Sequence, residues 1–477
     1  MNARALRATS YNAAVSQPPP GPLQLERRLG PIDAAAIVIS NVIGVGIFIA
    51  PGIIAQLVPH PLLFLGVWLG GGLLAFAGAM AYAELGTLRP RSGGEYVYLR
   101  EGYGPLAAFL TGWTSFVAGF AGAIAAGALG AADYMARFVP AAGDTTPYVT
   151  IPVPGLPLVI SPRTVVALAV VFALAFVHVR GLGPGRLVQN TLAAVKVGAL
   201  ALFVAIGLGA GRGSLANLQA AAPPGATFNW PLAFIIVMFS YSGWNAASYV
   251  AEEIRDPGRN VPRALALGTA AVVLLYLGLN TLYIYAVPID QIGGAQQSEI
   301  AMVAADRLLG PFAAQLLGAV AIVVLLASLS AMTIAGPRVY FAMARDGVFF
   351  RSVARLHRRF LTPHFAILAV SLWASLLSVS GTFEQLFTYV VFGLWIFFGL
   401  TVGAVMILRK KRPDLPRPYK TWGYPVTPVL FIAAALYISV NSLINTFWNS
   451  FIGLAIIVLG IPAYLFWRSR SARRESK

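Results

Sequence analysis

Val42-Ile43-Gly44-Val45-Gly46-Ile47-Phe48 (42–48) and Phe239-Ser240-Tyr241-Ser242-Gly243-Trp244-Asn245 (239–245) each interrupt a long apolar run with small residues near its middle. A helix that breaks at bilayer depth bares backbone N–H and C=O groups where no water can meet them. Such breaks persist only where they line a cavity or hold a ligand. The two stretches together point to an all-α integral membrane protein with a binding site between its broken helices.

The rest of the chain agrees. Of 477 residues, 58% are hydrophobic and only 11% charged, and the mean hydropathy is +0.75, far too apolar for a soluble domain. Apolar stretches of about 20 residues recur, and twelve transmembrane helices are expected at roughly 33–57, 62–88, 104–138, 163–179, 187–211, 229–252, 263–287, 311–342, 364–380, 383–408, 424–446 and 447–467. The breaks fall at similar depths in the first and sixth of these. That placement predicts a five-plus-five inverted repeat with its site near the bilayer midplane: residues 31–211 as the first repeat, 212–412 as the second, and 413–467 as two further helices. The third stretch carries Gly119, Gly122, Ala125, Ala126, Gly127 and Gly130, expected to serve close helix packing.

Charge sets the orientation. Of 34 Lys and Arg, only Arg137, Arg163, Arg212 and Arg307 fall in the loops of one side, and only Lys196 falls within a span. The remainder place both termini in the cytoplasm of a multi-pass cell (inner) membrane protein. The +17 net charge is then a cytoplasmic-face signature that needs no nucleic acid. Residues 1–30 read as a disordered cytoplasmic tail without a signal-peptide core, and 468–477 as a basic cytoplasmic tail. With no cysteine, neither thiol chemistry nor a disulfide-linked heavy subunit is expected. Four histidines without ligand spacing, and a Gly-rich segment outside any strand–turn–helix context, suggest no metal, no cofactor and no enzyme.

Four segments carry a resemblance. IGVGIFIAPG (43–52) resembles the GSGIF motif of the first helix in the amino acid–polyamine–organocation (APC) superfamily, with Val45 in place of the usual Ser. YAELGTLRPRSGGEYVYLREGYGP (82–105) is similar to that family's loop between helices two and three. YSGWNAASYVAEEIRDPGRNVPRAL (241–265) is similar to helix six and the loop after it, and RPYKTWGYPVTPVLF (417–431) to the entry of helix eleven. The order is the family's own, and the closest resemblance is to the L-type amino acid transporter branch. It implies a LeuT-like fold and transport of amino acids by alternating access.

At neutral pH an amino acid carries a carboxylate and an ammonium, and a broken helix can meet both. N–H groups near Gly44, Val45 and Gly46 suit the carboxylate, and C=O groups near Val42-Ile43 and Phe239-Ser240 suit the ammonium. Glycine at 44, 46 and 243 permits unusual dihedrals and close ligand approach. The resemblance further implies Phe239 as an aromatic lid, Ser242 as a residue shaping the pocket and Trp395 as a pocket aromatic of helix ten. It also gives Lys196 the place of a sodium ion in sodium-coupled relatives, with carbonyls near Gly44 and a helix-eight hydroxyl, Ser328 or Ser330, as partners. Sodium independence follows. Because the acidic residues fall near span ends or in loops, an unpaired cationic substrate is disfavoured and a neutral one expected. Exchange and proton symport stay open. A cationic amino acid or polyamine carrier, a channel, and a non-transporting sensor are the rivals. Glu252-Glu253-Ile254-Arg255-Asp256-Pro257-Gly258 reads as a helix end and turn, with Pro262 opening the next helix. Its functional alternative is a cytoplasmic gate through Arg89, Arg91 or Arg338.

Overall fold

The computed structural model describes residues 23–44, 46–154, 157–294 and 300–475. Within them the regular structure is helical apart from one hairpin, β1 (Val149–Ile151) paired antiparallel with β2 (Leu158–Ile160).

The first expected span is two helices, α1 (Pro31–Val42) and α2 (Gly46–Leu57), bent by 49° at the break. Then come α3 (Pro61–Leu88), the short α4 (Glu95–Tyr103), α5 (Pro105–Met135), α6 (Pro162–Val179) and α7 (Leu182–Ala210). The second broken stretch is α8 (Trp230–Ser240), a run of turns, and α9 (Ala246–Tyr249). The longer helices that remain are α10 (Pro257–Ala286), α11 (Pro311–Arg345), α12 (His364–Ser380), α13 (Phe383–Lys411), α14 (Val426–Asn445) and α15 (Phe447–Arg470), with two short helices, Ile289–Gly294 and Ile300–Leu309, between α10 and α11. Among the described residues, nine helices are long and apolar enough to cross a membrane, and the bent α1–α2 pair makes a tenth. The helices α8 and α12 are apolar but shorter.

Proline opens many of these helices, as at Pro31, Pro61, Pro105, Pro162 and Pro311, since the first turn has no use for its missing N–H. One start departs from expectation. The helix after the Glu252 segment opens at Pro257, behind Asp256 in a left-handed conformation (φ 46°), and Pro262 lies inside it. Pro262 lies past the first four N–H groups that lack partners, so it forgoes a bond to the Gly258 carbonyl, and the helix nonetheless runs through it.

The breaks are buried at the centre. α1 packs on α10, α11 and α7, while α2 packs on α8, so both broken stretches are enclosed by unbroken helices.

Candidate functional site

Between the two breaks lies a cavity of about 320 Å³. Val42, Gly44 and Gly46 of the first break line it, as do Phe239, Ser240, Ser242 and Gly243 of the second, together with Ser328 and Trp395. Val45 lies outside the described residues. Ile43 is fully buried, with its side chain in the core and its carbonyl turned to Lys196.

Local structure explains the shape. At Ile43 the backbone turns extended (φ −75°, ψ 97°), and α2 starts three residues later with its leading amides lacking upstream helical carbonyls. Gly243 adopts φ 106°, and a Cβ there would lie 2.9 Å from the carbonyl carbon of Asn41. Only glycine meets both demands. The two breaks therefore press backbone against backbone, Asn41 on one and Gly243 on the other.

Two side chains tie down the exposed carbonyls. Lys196 of α7, wholly buried, donates to the carbonyl of Ser40 (3.2 Å) and to that of Ile43. Tyr276 of α10, unforeseen in the sequence, reaches both breaks at once, with its hydroxyl 3.1 Å from the Val42 carbonyl and 3.2 Å from that of Ser240. A carbonyl oxygen keeps a second lone pair, so a ligand ammonium can share these acceptors. The serine partners expected for Lys196 are corrected. Ser330 instead meets His178 Nε2 at 2.9 Å, and Ser328 lines the cavity beside Gly44. Two positions apart on a helix is about 200° of rotation, so the two hydroxyls face different neighbours.

The walls are aromatic and small. Trp395 stands edge-on to Phe398 at 5.6 Å, and Phe398 in turn meets Trp244 at 5.7 Å. Phe239 is 36% exposed and faces the cavity. On α5 the helix widens into a π turn at Ser115–Gly119, a distortion frequent at functional sites. Gly119, Ala126, Gly127 and Gly130 line the cavity, while Gly122 and Ala125 are buried in packing. The small residues of α5 thus make room for a ligand as well as for neighbouring helices.

One cavity residue overturns an argument. No carboxylate was expected to face the site, yet Glu95 does so, 5% exposed. It opens α4, which the sequence places in a loop. Gly93 (φ 124°) and Gly94 (φ 52°) fold that loop inward, and a Cβ at 94 would meet the Tyr249 ring at 2.5 and 2.7 Å. Glu95 accepts a hydrogen bond from Asn245 of the second break.

At the basic end the cavity is closed. Arg338 of α11 forms a bidentate pair with Glu253 at 2.8 and 2.9 Å, with 2% and 0% of the side chains exposed. Arg345 pairs with Glu252 at 2.9 Å, and Glu252 also accepts from the Ser92 amide at 3.0 Å. Of the expected gate arginines only Arg338 reaches this acidic segment. Arg89 turns to Glu101 and Arg91 to Asp346. Among the described residues no group of His, Cys, Asp and Glu has the arrangement to hold a metal ion.

Similarity to known proteins extends over most of the chain. The family model described as "Amino acid permease" matches residues 29–462. The chain is 30% identical to the large neutral amino acids transporter small subunit 2 of Mus musculus over 470 residues, covering 94% of this chain and 83% of that protein. It is 28% identical to the b(0,+)-type amino acid transporter 1 of Mus musculus (95% and 92% covered) and 29% identical to the cystine/glutamate transporter of Homo sapiens (94% and 86% covered). A multi-pass membrane protein with a central cavity between two broken helices, this chain belongs to the amino acid permease family of the APC superfamily.

Proposed function

We propose that the chain is a secondary active transporter that moves neutral L-amino acids by alternating access without sodium, either as an exchanger or coupled to protons. The observation carrying this reading is the cavity between the breaks, where residues of both breaks line an apolar, aromatic-walled space of amino-acid size. The amides of Gly44 and Gly46 hold the carboxylate and the carbonyls of Val42 and Phe239-Ser240 the ammonium, with Val45 adding an amide by its position in the chain. Phe239 closes over the substrate, while Ser242 and Trp395 shape its side-chain pocket. The names of the relatives, among them a large neutral amino acids transporter, support the substrate class.

The architecture that goes with this reading has twelve spans, with α1–α2 as one and the α8–α9 stretch and α12 among them. Residues 31–211 and 212–412 form inverted repeats, followed by 413–467. Both termini are cytoplasmic in the cell (inner) membrane, so the closed end is cytoplasmic and the cavity faces outward. Lys196 fills the place of a sodium ion and fixes the first break by its two carbonyl contacts. One relative's name and one feature of this chain bear on partners. The name "small subunit" implies a larger companion for that protein, and the lack of cysteine here excludes only a disulfide link to one. A companion held by contacts alone is compatible with every feature described.

A cationic amino acid is the second reading, favoured by Glu95 in the cavity. Against it, the carboxyl is already engaged by Asn245. Uptake of a panel of labelled neutral, cationic and anionic amino acids by the purified protein in liposomes, at two pH values, tests the proposal. Accumulation of neutral amino acids supports it, and accumulation confined to lysine, arginine or polyamines contradicts it.

A further inference from the structure

The cavity's only side-chain carboxyl among the described residues is Glu95. It is buried at 5% exposure and, among the described residues, makes no ion pair. The groups around it are neutral at pH 7. From the second break Asn245 donates to Oε1 and Tyr249 presents its hydroxyl; from α3 comes Tyr82, and from α4 itself Tyr98. Charges on the adjoining elements are committed elsewhere: Arg338 of α11 to Glu253 and Arg409 of α13 to Glu84. A carboxylate buried without a cation carries a desolvation penalty that protonation removes, and burial pushes the Glu95 carboxyl above the usual carboxylate range.

Its position couples this charge to motion. Asn245 Nδ2 touches both Glu95 and the Tyr249 hydroxyl, the latter at 3.1 Å, so one amide links the carboxyl to the turn beside the substrate cavity. The Gly93 amide donates to the Tyr249 carbonyl at 3.1 Å. Just below, the Arg338–Glu253 and Arg345–Glu252 pairs shut the basic end. Opening that end gives the carboxyl, which already lines the cavity, a route to water on the opposite side.

We propose that Glu95 is the proton-binding site of the transport cycle: neutral while buried beneath the second break, and ionised once the basic end opens. The proton passes from hydronium on the cavity side to the carboxylate and is returned to water at the basic end, one for each cycle. The proposal rests on the transporter reading and selects symport from its two modes. Because the protonated form is the one compatible with burial, uptake rises as the outside pH falls.

Purified wild type and Glu95→Gln in sodium-free liposomes, with a pH dye trapped inside and the membrane potential clamped, provide the test. In the wild type, a neutral amino acid added outside acidifies the lumen, and an inward gradient of one pH unit raises accumulation toward about tenfold over the gradient-free level. In Glu95→Gln, a fixed mimic of the protonated carboxyl, that ratio falls to about one whatever the absolute rate. Glu95→Asp restores part of the ratio. Wild-type uptake that moves no proton and ignores the gradient overturns the proposal irrespective of any variant, as does a Glu95→Gln protein with the wild-type ratio. Those results leave exchange intact, whereas a wild type with neither uptake nor counterflow of any amino acid contradicts the transporter reading itself.

Discussion

Lys196 and Phe239 make distinct demands on the site. Lys196 donates to two carbonyls of the first break, and each hydrogen bond from a charged group is worth about 1.5–3 kcal/mol. Lys196→Ala should insert and fold but transport at least about tenfold more slowly, because losing one such bond in the translocation barrier suffices for that factor. Lys196→Arg should rescue poorly, since a planar fork does not fit between two carbonyls that suit a compact ammonium. Initial uptake rates normalised to protein in the vesicles measure both, and wild-type rates in Lys196→Ala would make the lysine a tolerated interior charge. Phe239 faces the cavity with a third of its surface exposed. Phe239→Ala should lower uptake by about tenfold or more while leaving the melting temperature in detergent within a few degrees of wild type. A large drop in melting temperature with unimpaired transport would assign the ring to packing. Both residues were legible in the sequence, Lys196 because a lone cation in an apolar run needs a partner. Tyr276 was not, since a tyrosine in an apolar helix is ordinarily core. No local pattern announces that its hydroxyl bridges two breaks more than thirty residues apart in one case and far more in the other.

At the scale of elements, the closed end depends on Arg338 of α11 and the 3-10 turn that carries Glu253. Removing one partner of a buried pair leaves the other charge uncompensated, at about 3–5 kcal/mol. Arg338→Ala should therefore destabilise the closed arrangement by roughly that amount. It should also leave the basic end open, so that a cysteine placed near Ser92 is labelled faster from that side. Equal labelling in variant and wild type would show that the pair is structural only. The apolar stretches could be read from length and composition, because long apolar runs have few alternatives in a membrane, and among the described residues nine helices and the bent α1–α2 pair are long and apolar enough to match them. The exceptions share a cause. The start at Pro257 and the inward fold of α4 both depend on unusual backbone conformations, at Asp256 and at Gly93-Gly94, and on close contacts with distant residues. The sequence showed the glycines but not what they approach.

For the whole molecule, the account joins two broken helices, one cavity between them and one closed end into a carrier that exposes its site to one side at a time. The breaks were legible because they interrupt otherwise continuous apolar runs. Glu95 in the cavity was not, because a loop carboxylate is ordinarily solvated and only tertiary packing brings it inside. Counterflow separates a carrier from a channel. Liposomes holding the purified protein are preloaded with an unlabelled neutral amino acid at millimolar concentration, diluted into choline medium and given trace labelled substrate. The account predicts a transient overshoot of labelled amino acid inside, well above equilibrium, that is unchanged when sodium replaces choline at constant ionic strength. Monotonic entry with no overshoot, as a channel would give, or an overshoot that requires sodium, would contradict it.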